Sequence, residues 1–535
     1  MKIKLFFAPR LYSQEHGFGY QGRSSCVPPL GLPMIKSYLE SRGYQAEQDD
    51  LDIKAWNRNL TAQKIDMRPF DDRERIGRYM ECGKDPGLEK EARKILDMTD
   101  YRGFDVYGFS IADDHNFSAI GSTVVLSKII KEETGGIIVV GGLRHTRKIH
   151  ETKLTDLDYI DYLVLEDHVT FHRLLTNLRK GDENERHWRH IASGKRRRMN
   201  CQSGGQLLRD DVDNRWDLGD EESVLPVPDF RGLPLEKYRT NDRASGVLIM
   251  PYSFAVGCNN GCAFCPNSYD PHFAEKSPAS VVRDLSRLAK TCNTGFFLFM
   301  NTNINPSTGY CEALADRIIE SKLNIKWMSC ANLIHLNERL LEKLKRAGAI
   351  KLIFGLESAS PHLLKYIRKG ITTGRAESLL RCSHELGIWN EVELIAGLPH
   401  ETDEDIQNTV DFIRRNNKYI DYFHLAKFIL MDSAFTADPE RFGMKNIREN
   451  MNGLRDMKHF YRSFDEIGGL AWQEKEKQIE ESHRRISNAI SWPGEGNAFA
   501  EQSGYRGAED THLLFHLYGK YGDKMKVREA LQNGV

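Results

Sequence analysis

Gly257-Cys258-Asn259-Asn260-Gly261-Cys262-Ala263-Phe264-Cys265-Pro266 holds the one tight cysteine group of the chain. Its spacing is C-x3-C-x2-C. Three thiolates on one short loop can hold three irons of a [4Fe–4S] cluster and leave the fourth iron open to a small molecule. Gly257 and Gly261 let the loop wrap tightly. Structural zinc is the competing reading. It takes four protein ligands, and His272, seven residues past Cys265, would complete a Cys3His site. Two features weigh against zinc. The loop opens a long strand–helix series, whereas zinc ribbons are small and self-contained. Phe264 directly precedes the last cysteine, where an aromatic ring could lie over a bound ligand.

Working outward, residues 246–445 alternate strand and helix patterns. A strand at 247–256 leads into the cysteine loop. A helix follows with Ser277 as N-cap and Pro278 at its first position. Strand 296–300, helix 309–321 and strand 325–330 come next. The helix from Asn337 ends at Gly348, and strand 350–354 follows. The next helix ends at Gly387. Strand 391–396 precedes a helix entered through the capping box Thr402-x-x-Asp405. A last strand spans 421–431. Six such units suit a curved, partly closed parallel barrel better than an eight-stranded one.

This stretch resembles the radical S-adenosylmethionine (SAM) superfamily, whose signature is C-x3-C-x-aromatic-C. Residues 354–360, Phe-Gly-Leu-Glu-Ser-Ala-Ser, and 395–402, Ile-Ala-Gly-Leu-Pro-His-Glu-Thr, resemble the family's "fGlES-S" and "GlP-Et" segments. The resemblance implies a partial (βα)6 barrel with Cys258, Cys262 and Cys265 on a [4Fe–4S] cluster. It places SAM against Phe264, Glu357, Ser358, Gly397 and Pro399. It also implies cleavage of SAM to a 5′-deoxyadenosyl radical, with electrons from an external flavodoxin- or ferredoxin-type reductant. Glu357 and Ser358 have a plainer alternative, as helix caps or core hydrogen bonds. Asn301-Thr302-Asn303-Ile304-Asn305 departs from the acidic residues that many relatives carry after the second strand. Met431 to Gly443 resembles a closing segment of family members that faces the substrate; its alternative is a surface loop.

Residues 1–180 alternate as well. Strands are expected at 2–9, 105–111, 136–140 and 160–165, and helices at 31–41, 119–133 and up to Lys180. That order predicts a doubly wound, Rossmann-like parallel sheet, with ligands at the carboxyl ends of its strands. Ser110-Ile111-Ala112 and Gly141-Gly142, with 28 residues between them, resemble the S-x-L and G-G segments of the cobalamin-binding Rossmann domain. The resemblance implies cobalamin beside Ser110, Gly141 and Gly142. Three features depart from it. His16 does not match the family's axial-histidine motif. Asp113-Asp114-His115 mimics that motif after the wrong strand, so His115 reads as a surface or supporting residue. Val164-Leu165-Glu166-Asp167-His168 lacks the usual glycines.

The chain has 535 residues, 40% apolar and 28% charged, with Lys plus Arg 75 against Asp plus Glu 76. Such a length suggests three or four domains. The partition is 1–180 cobalamin-binding-like domain, 181–245 polar linker with a hairpin, 246–445 barrel, and 446–535 helical cap shaping the substrate pocket. The neutral balance speaks against a nucleic-acid partner and for a small-molecule or peptide substrate. The basic run Lys195-Arg196-Arg197-Arg198 is flanked by acidic clusters and reads as a solvated loop. No run approaches the ~20 apolar residues of a membrane span. The N-terminus is too short in apolar residues for a secretory signal, so a cytoplasmic protein is expected.

The leading expectation is cobalamin-dependent methyl transfer to an unactivated carbon or phosphorus. Radical rearrangement or cyclisation is the alternative. A tRNA methylthiotransferase would need three N-terminal cysteines, and only Cys26 and Cys82 precede residue 180. A zinc-stabilised binding module is the non-enzyme reading. No residue is assigned as a catalytic acid or base. Cys330 ends the third barrel strand and either reaches the cavity or fills the core. Trp472, His483 and Trp492 are further candidates for the cap.

Overall fold

The computed structural model describes residues 1–11, 27–59, 64–111, 117–142, 154–164, 168–180, 191–193, 225–239, 247–268, 273–449, 462–490 and 511–532. Two compact units divide the chain. The first comprises Met1–Glu15, Ser25–Tyr238 and Asn452–Lys458, and the second the rest.

The first unit is built on β1 (Lys2–Phe7), β2 (Gln45–Asp50), β3 (Val106–Ser110), β4 (Ile137–Gly141), β5 (Tyr162–Val164) and β6 (Ile191–Ser193). The strand order is β2-β1-β3-β4-β5-β6. The first five strands are parallel and doubly wound, as the alternation of strands and helices requires. β6 joins β5 antiparallel at the edge of this sheet, and the rest of 181–224, where a hairpin is expected, lies outside the described residues. β2 escapes sequence analysis because it is Gln-Ala-Glu-Gln-Asp-Asp. Hydrogen bonds rather than apolar burial hold it. Gln48 Nε2 donates to Asp229 O at 2.6 Å and to Arg231 O at 2.9 Å. Asp49 Oδ2 accepts from Lys54 Nζ and Thr99 Oγ1, each at 2.5 Å. The described part of 225–239 is thus packed into the first unit. Leu225, Phe230, Leu233 and Tyr238 are buried. The core runs from Ile3 and Leu5 through Leu32, Leu39, Val106 and Val139 to Leu174.

The second unit is a parallel sheet of β7 (Ile249–Tyr252), β10 (Phe296–Phe299), β11 (Lys326–Ala331), β12 (Ala349–Glu357), β13 (Trp389–Ala396) and β14 (Tyr422–Lys427). The strands lie in chain order, each joined to the next by helices, giving the partial (βα)6 barrel. Helix starts follow the local signals. Ser277 Oγ accepts from Ser280 N, and Thr402 and Asp405 form a reciprocal capping box. After β7, β8 (Ala255–Gly257) pairs antiparallel with β9 (Phe273–Glu275). After β14, β15 (Met444–Glu449) pairs antiparallel with β16 (Arg462–Glu466).

The described helices of the C-terminal region divide between the two ends of the barrel. The 472–489 helix packs along β13, β14 and the 403–416 helix. The 511–521 and 524–532 helices lie at the amino ends of the barrel strands. Phe515 meets Phe296 at the start of β10 with ring centroids 5.5 Å apart. Lys524 donates to Ile388 O, just before β13, at 2.7 Å. These helices therefore close the end of the barrel opposite the cysteine loop. Among the described residues no helix is long and apolar enough to cross a membrane.

Candidate functional site

The cysteine loop is the tip of the β8–β9 hairpin. Gly257 (φ 78°) and Gly261 (φ 61°) both take left-handed backbone that other residues adopt at a cost. Backbone bonds pin the loop on two sides. Ala263 N donates to Ile367 O at 2.9 Å, and Phe435 N donates to Ala263 O at 3.3 Å. Asn259 Nδ2 adds a bond to Pro306 O at 3.0 Å. Ala434 N donates to Ser268 Oγ at 2.8 Å, so the run beginning at Met431 braces the loop rather than lying free. Phe264 is partly buried at the margin of an apolar cluster with Leu363, Leu398 and Phe435.

Cys258, Cys262 and Cys265 are all partly exposed and unbridged. Burial pushes the Cys262 and Cys265 thiols up. Among the described residues no three His, Cys, Asp or Glu side chains converge on one point as a single ion requires. Thiols that ligate different irons of one cluster need only border a common hollow. The soft, spread donor set fits an iron–sulfur cluster better than one zinc ion. His272 lies outside the described residues.

Beside the thiols is a cluster of buried charged side chains. Glu357 ends β12 with φ 69°, rare for a residue bearing a side chain, at an irregularity in the β12–β13 register. Lys369 Nζ donates to Glu357 Oε1 at 2.8 Å, and both are buried. Burial opposes charge on Lys369, but Glu357 and the Cys262 sulfur outweigh it and hold it above the usual range. Gly355 makes the room: a Cβ there would come 2.7 Å from Glu357 Oε1 and 3.0 Å from Lys369 Nζ. Deeper in, Lys351 pairs with Glu391. Burial, then Glu357 and Glu391, pushes Glu393 up to about 7. Burial pushes Cys330 up to about 12, with Glu393 and Glu391 adding to it. Lys369, Glu391 and Glu393 belong to no quoted motif, and Gly355, though inside the 354–360 segment, is not singled out.

The other barrel candidates have partners of their own. The Ser358 hydroxyl accepts from Ser360 N at 3.1 Å and lies 3.5 Å from Thr409 Oγ1. Gly397 has φ 85°, and a Cβ there would lie 2.4 Å from Ile479 Cγ1 of the 472–489 helix. Its N–H donates to Glu401 Oε2 at 3.0 Å. Pro399 is buried. The buried Lys475 ties the same loop to its helix. It donates to Leu398 O at 2.6 Å and pairs with Glu466 at 3.0 Å. Asn301 Oδ1 accepts from Phe254 N at 3.3 Å, and Asn305 pairs with the Asn332 backbone at 2.6 and 2.8 Å.

In the first unit, Ser110 lies in register with Phe7 and Gly141, so Ser110, Gly141 and Gly142 share the carboxyl edge of the sheet. Gly142 is demanded by the fold itself: a Cβ would lie 2.5 Å from Ile111 O. Gly141 is not, since its Cβ would meet Val164 O at an ordinary 3.4 Å. Among the described residues nothing else crowds that position. The same edge holds Asp50, which receives the Tyr238 hydroxyl. Burial and then Asp52 push it up to about 7. Ala112, His115, His16, Glu166, the basic run at 195–198 and Trp492 lie outside the described residues.

Residues 252–413 match the radical SAM superfamily. An uncharacterized methyltransferase of Pyrococcus horikoshii is 26% identical over 308 residues, 57% of this chain and 63% of that protein. The match thus spans less than two thirds of that relative. A cytidylyl-2-hydroxyethylphosphonate methyltransferase of Streptomyces wedmorensis is 21% identical over 418 residues, 72% of this chain and 73% of its own. The radical SAM methyltransferase TsrM of Kitasatospora setae, solved with cobalamin and a [4Fe–4S] cluster, shares the fold. Its TM-score is 0.60 at 16% identity, over 99% of this chain and 100% of its own. Residues 252–413 thus carry a radical SAM domain, and the chain shares with TsrM a fold of a doubly wound domain followed by a parallel (βα)6 barrel.

Proposed function

We propose that this enzyme is a cobalamin-dependent radical SAM methyltransferase acting at an unactivated carbon or phosphorus of a small-molecule or peptide substrate. The observation that carries the reading is the three-thiol hairpin tip beside the strained Glu357 at the carboxyl end of the barrel. In this reading Cys258, Cys262 and Cys265 ligate three irons. Phe264, Glu357, Ser358, Gly397 and Pro399 border SAM, and Ser110, Gly141 and Gly142 border the corrin. Bound there, the cluster and SAM supply a 5′-deoxyadenosyl radical, and cobalamin supplies a methyl group.

The chain's own residues bind and position. Lys369 holds the Glu357 carboxyl group in place through their hydrogen bond. Burial keeps the Cys330 thiol protonated. Gly141 admits a ligand close to the strand end. An external flavodoxin- or ferredoxin-type reductant would supply electrons, which places the protein in the cytoplasm.

Anaerobic reconstitution followed by metal and product analysis tests the proposal. About four irons and one cobalt per chain are expected, with S-adenosylhomocysteine formed beside 5′-deoxyadenosine. Iron without cobalt removes methyl transfer from cobalamin. 5′-Deoxyadenosine without S-adenosylhomocysteine indicates rearrangement or cyclisation instead.

A further inference from the structure

The two outer thiols of the cysteine loop each receive side-chain amides. Asn260 Nδ2 lies 3.4 Å from Cys258 Sγ. Asn303 Nδ2, from the loop after β10, lies 3.6 Å from the same sulfur. Asn267 Nδ2 lies 3.7 Å from Cys265 Sγ, which the Asn267 backbone N–H also serves. Two of these asparagines repeat one pattern, Cys258-x-Asn260 and Cys265-x-Asn267. The middle thiol, Cys262, faces the Lys369 charge instead.

Loop closure does not account for these amides. Asn259 and Thr302 already do that work, bonding to Pro306 O and Gly257 O. Asn303 is buried, and its Oδ1 has no hydrogen-bond partner among the described residues. An unpaired buried acceptor costs about 1–3 kcal/mol. The placement of Asn303 is therefore explained by the sulfur it serves and not by stability.

We infer that Asn260, Asn267 and Asn303 are positioning residues that set the reduction potential of the cluster. The inference rests on the cluster proposed above. Reduction adds one electron, delivered by the flavodoxin- or ferredoxin-type donor, and that charge spreads onto the thiolate sulfurs. N–H donors stabilise the more negative state and so raise the potential. Asparagine at 303 acts in the opposite sense to an acidic residue there. It lowers the reducing power asked of the donor.

The test is a redox titration of the reconstituted full-length protein without SAM, followed by the electron paramagnetic resonance signal of the reduced cluster. Asn260→Ala, Asn267→Ala and Asn303→Ala are each expected to shift the midpoint to more negative potential. At the wild-type midpoint, the ratio of reduced to oxidised cluster should fall by up to about tenfold, which is about 59 mV for one electron. Asn303→Asp, nearly isosteric, should shift it further the same way. Unchanged midpoints at full iron content in all four variants overturn the inference. Failure of the wild type to take up iron overturns the cluster assignment itself, a separate result.

Discussion

The two ends of the barrel are built on opposite principles. The carboxyl end carries three thiols without a bridge, a strained Glu357 and its buried partner Lys369. The amino end is shut by the 511–521 and 524–532 helices. Its buried charges are matched: Asp421 pairs with Lys524 at 2.6 Å and with Arg528 at 2.7 Å. Aromatic rings of Phe296 and Phe515 fill the space around them. One end groups unbridged thiols with buried charge, and the other matches its buried charges within the chain. In barrels this is the division between chemistry and stability.

Exchanging a cysteine tests the open end and has the largest expected effect. Cys262→Ser should abolish cluster binding, from about four irons per chain to none, and with it SAM cleavage. The melting temperature of the apoprotein should barely move. A large loss of stability would mean that this end also holds the fold together.

Asp421→Ala tests the closed end. It leaves Lys524 and Arg528 with an uncompensated charge and should cost about 3–5 kcal/mol of stability in urea unfolding. The fraction that stays folded should still bind iron. Loss of iron from folded protein would break the separation of the two ends.

The smallest effect is a pair of opposed pH dependences. Glu393 is pushed up to about 7 from 4.5 by burial, then Glu357 and Glu391. The folded protein keeps a proton there that the unfolded chain releases, so stability falls as pH rises from 4.5 to 7. His384 is held down to about 4 from 6.5 by burial and then Lys524. The unfolded chain takes up that proton first, so stability falls as pH drops from 6.5 to 4. Each limb should be worth on the order of 1 kcal/mol. Glu393→Gln should flatten the first limb and His384→Gln the second, read as urea midpoints across pH 4–8. A variant that flattens the other limb breaks the assignment.

The cysteine spacing, the strand–helix alternation and the caps at Ser277 and Thr402 were legible because each is local. A thiol triplet, an apolar periodicity and a hydroxyl followed by an acid act within a few residues. The same locality explains the failures. β2 has no apolar pattern, and only distant partners such as Asp229, Thr99 and Tyr238 make it a strand. The 511–521 helix shows its apolar face in the sequence, yet nothing local says which end of the barrel that face covers.

By itself, the sequence determined the radical SAM signature of the barrel, the identity of three candidate iron ligands and the presence of two parallel sheets. The residue types and intervals that specify them lie close together in the chain. The tertiary structure alone decided that Gly397 and Gly142 answer to Ile479 and Ile111. It alone brought Lys369 to Glu357, gave Asn303 to Cys258, and set the C-terminal helices at the closed end. Each of these is a contact between residues far apart in the chain, and only packing brings such residues within reach.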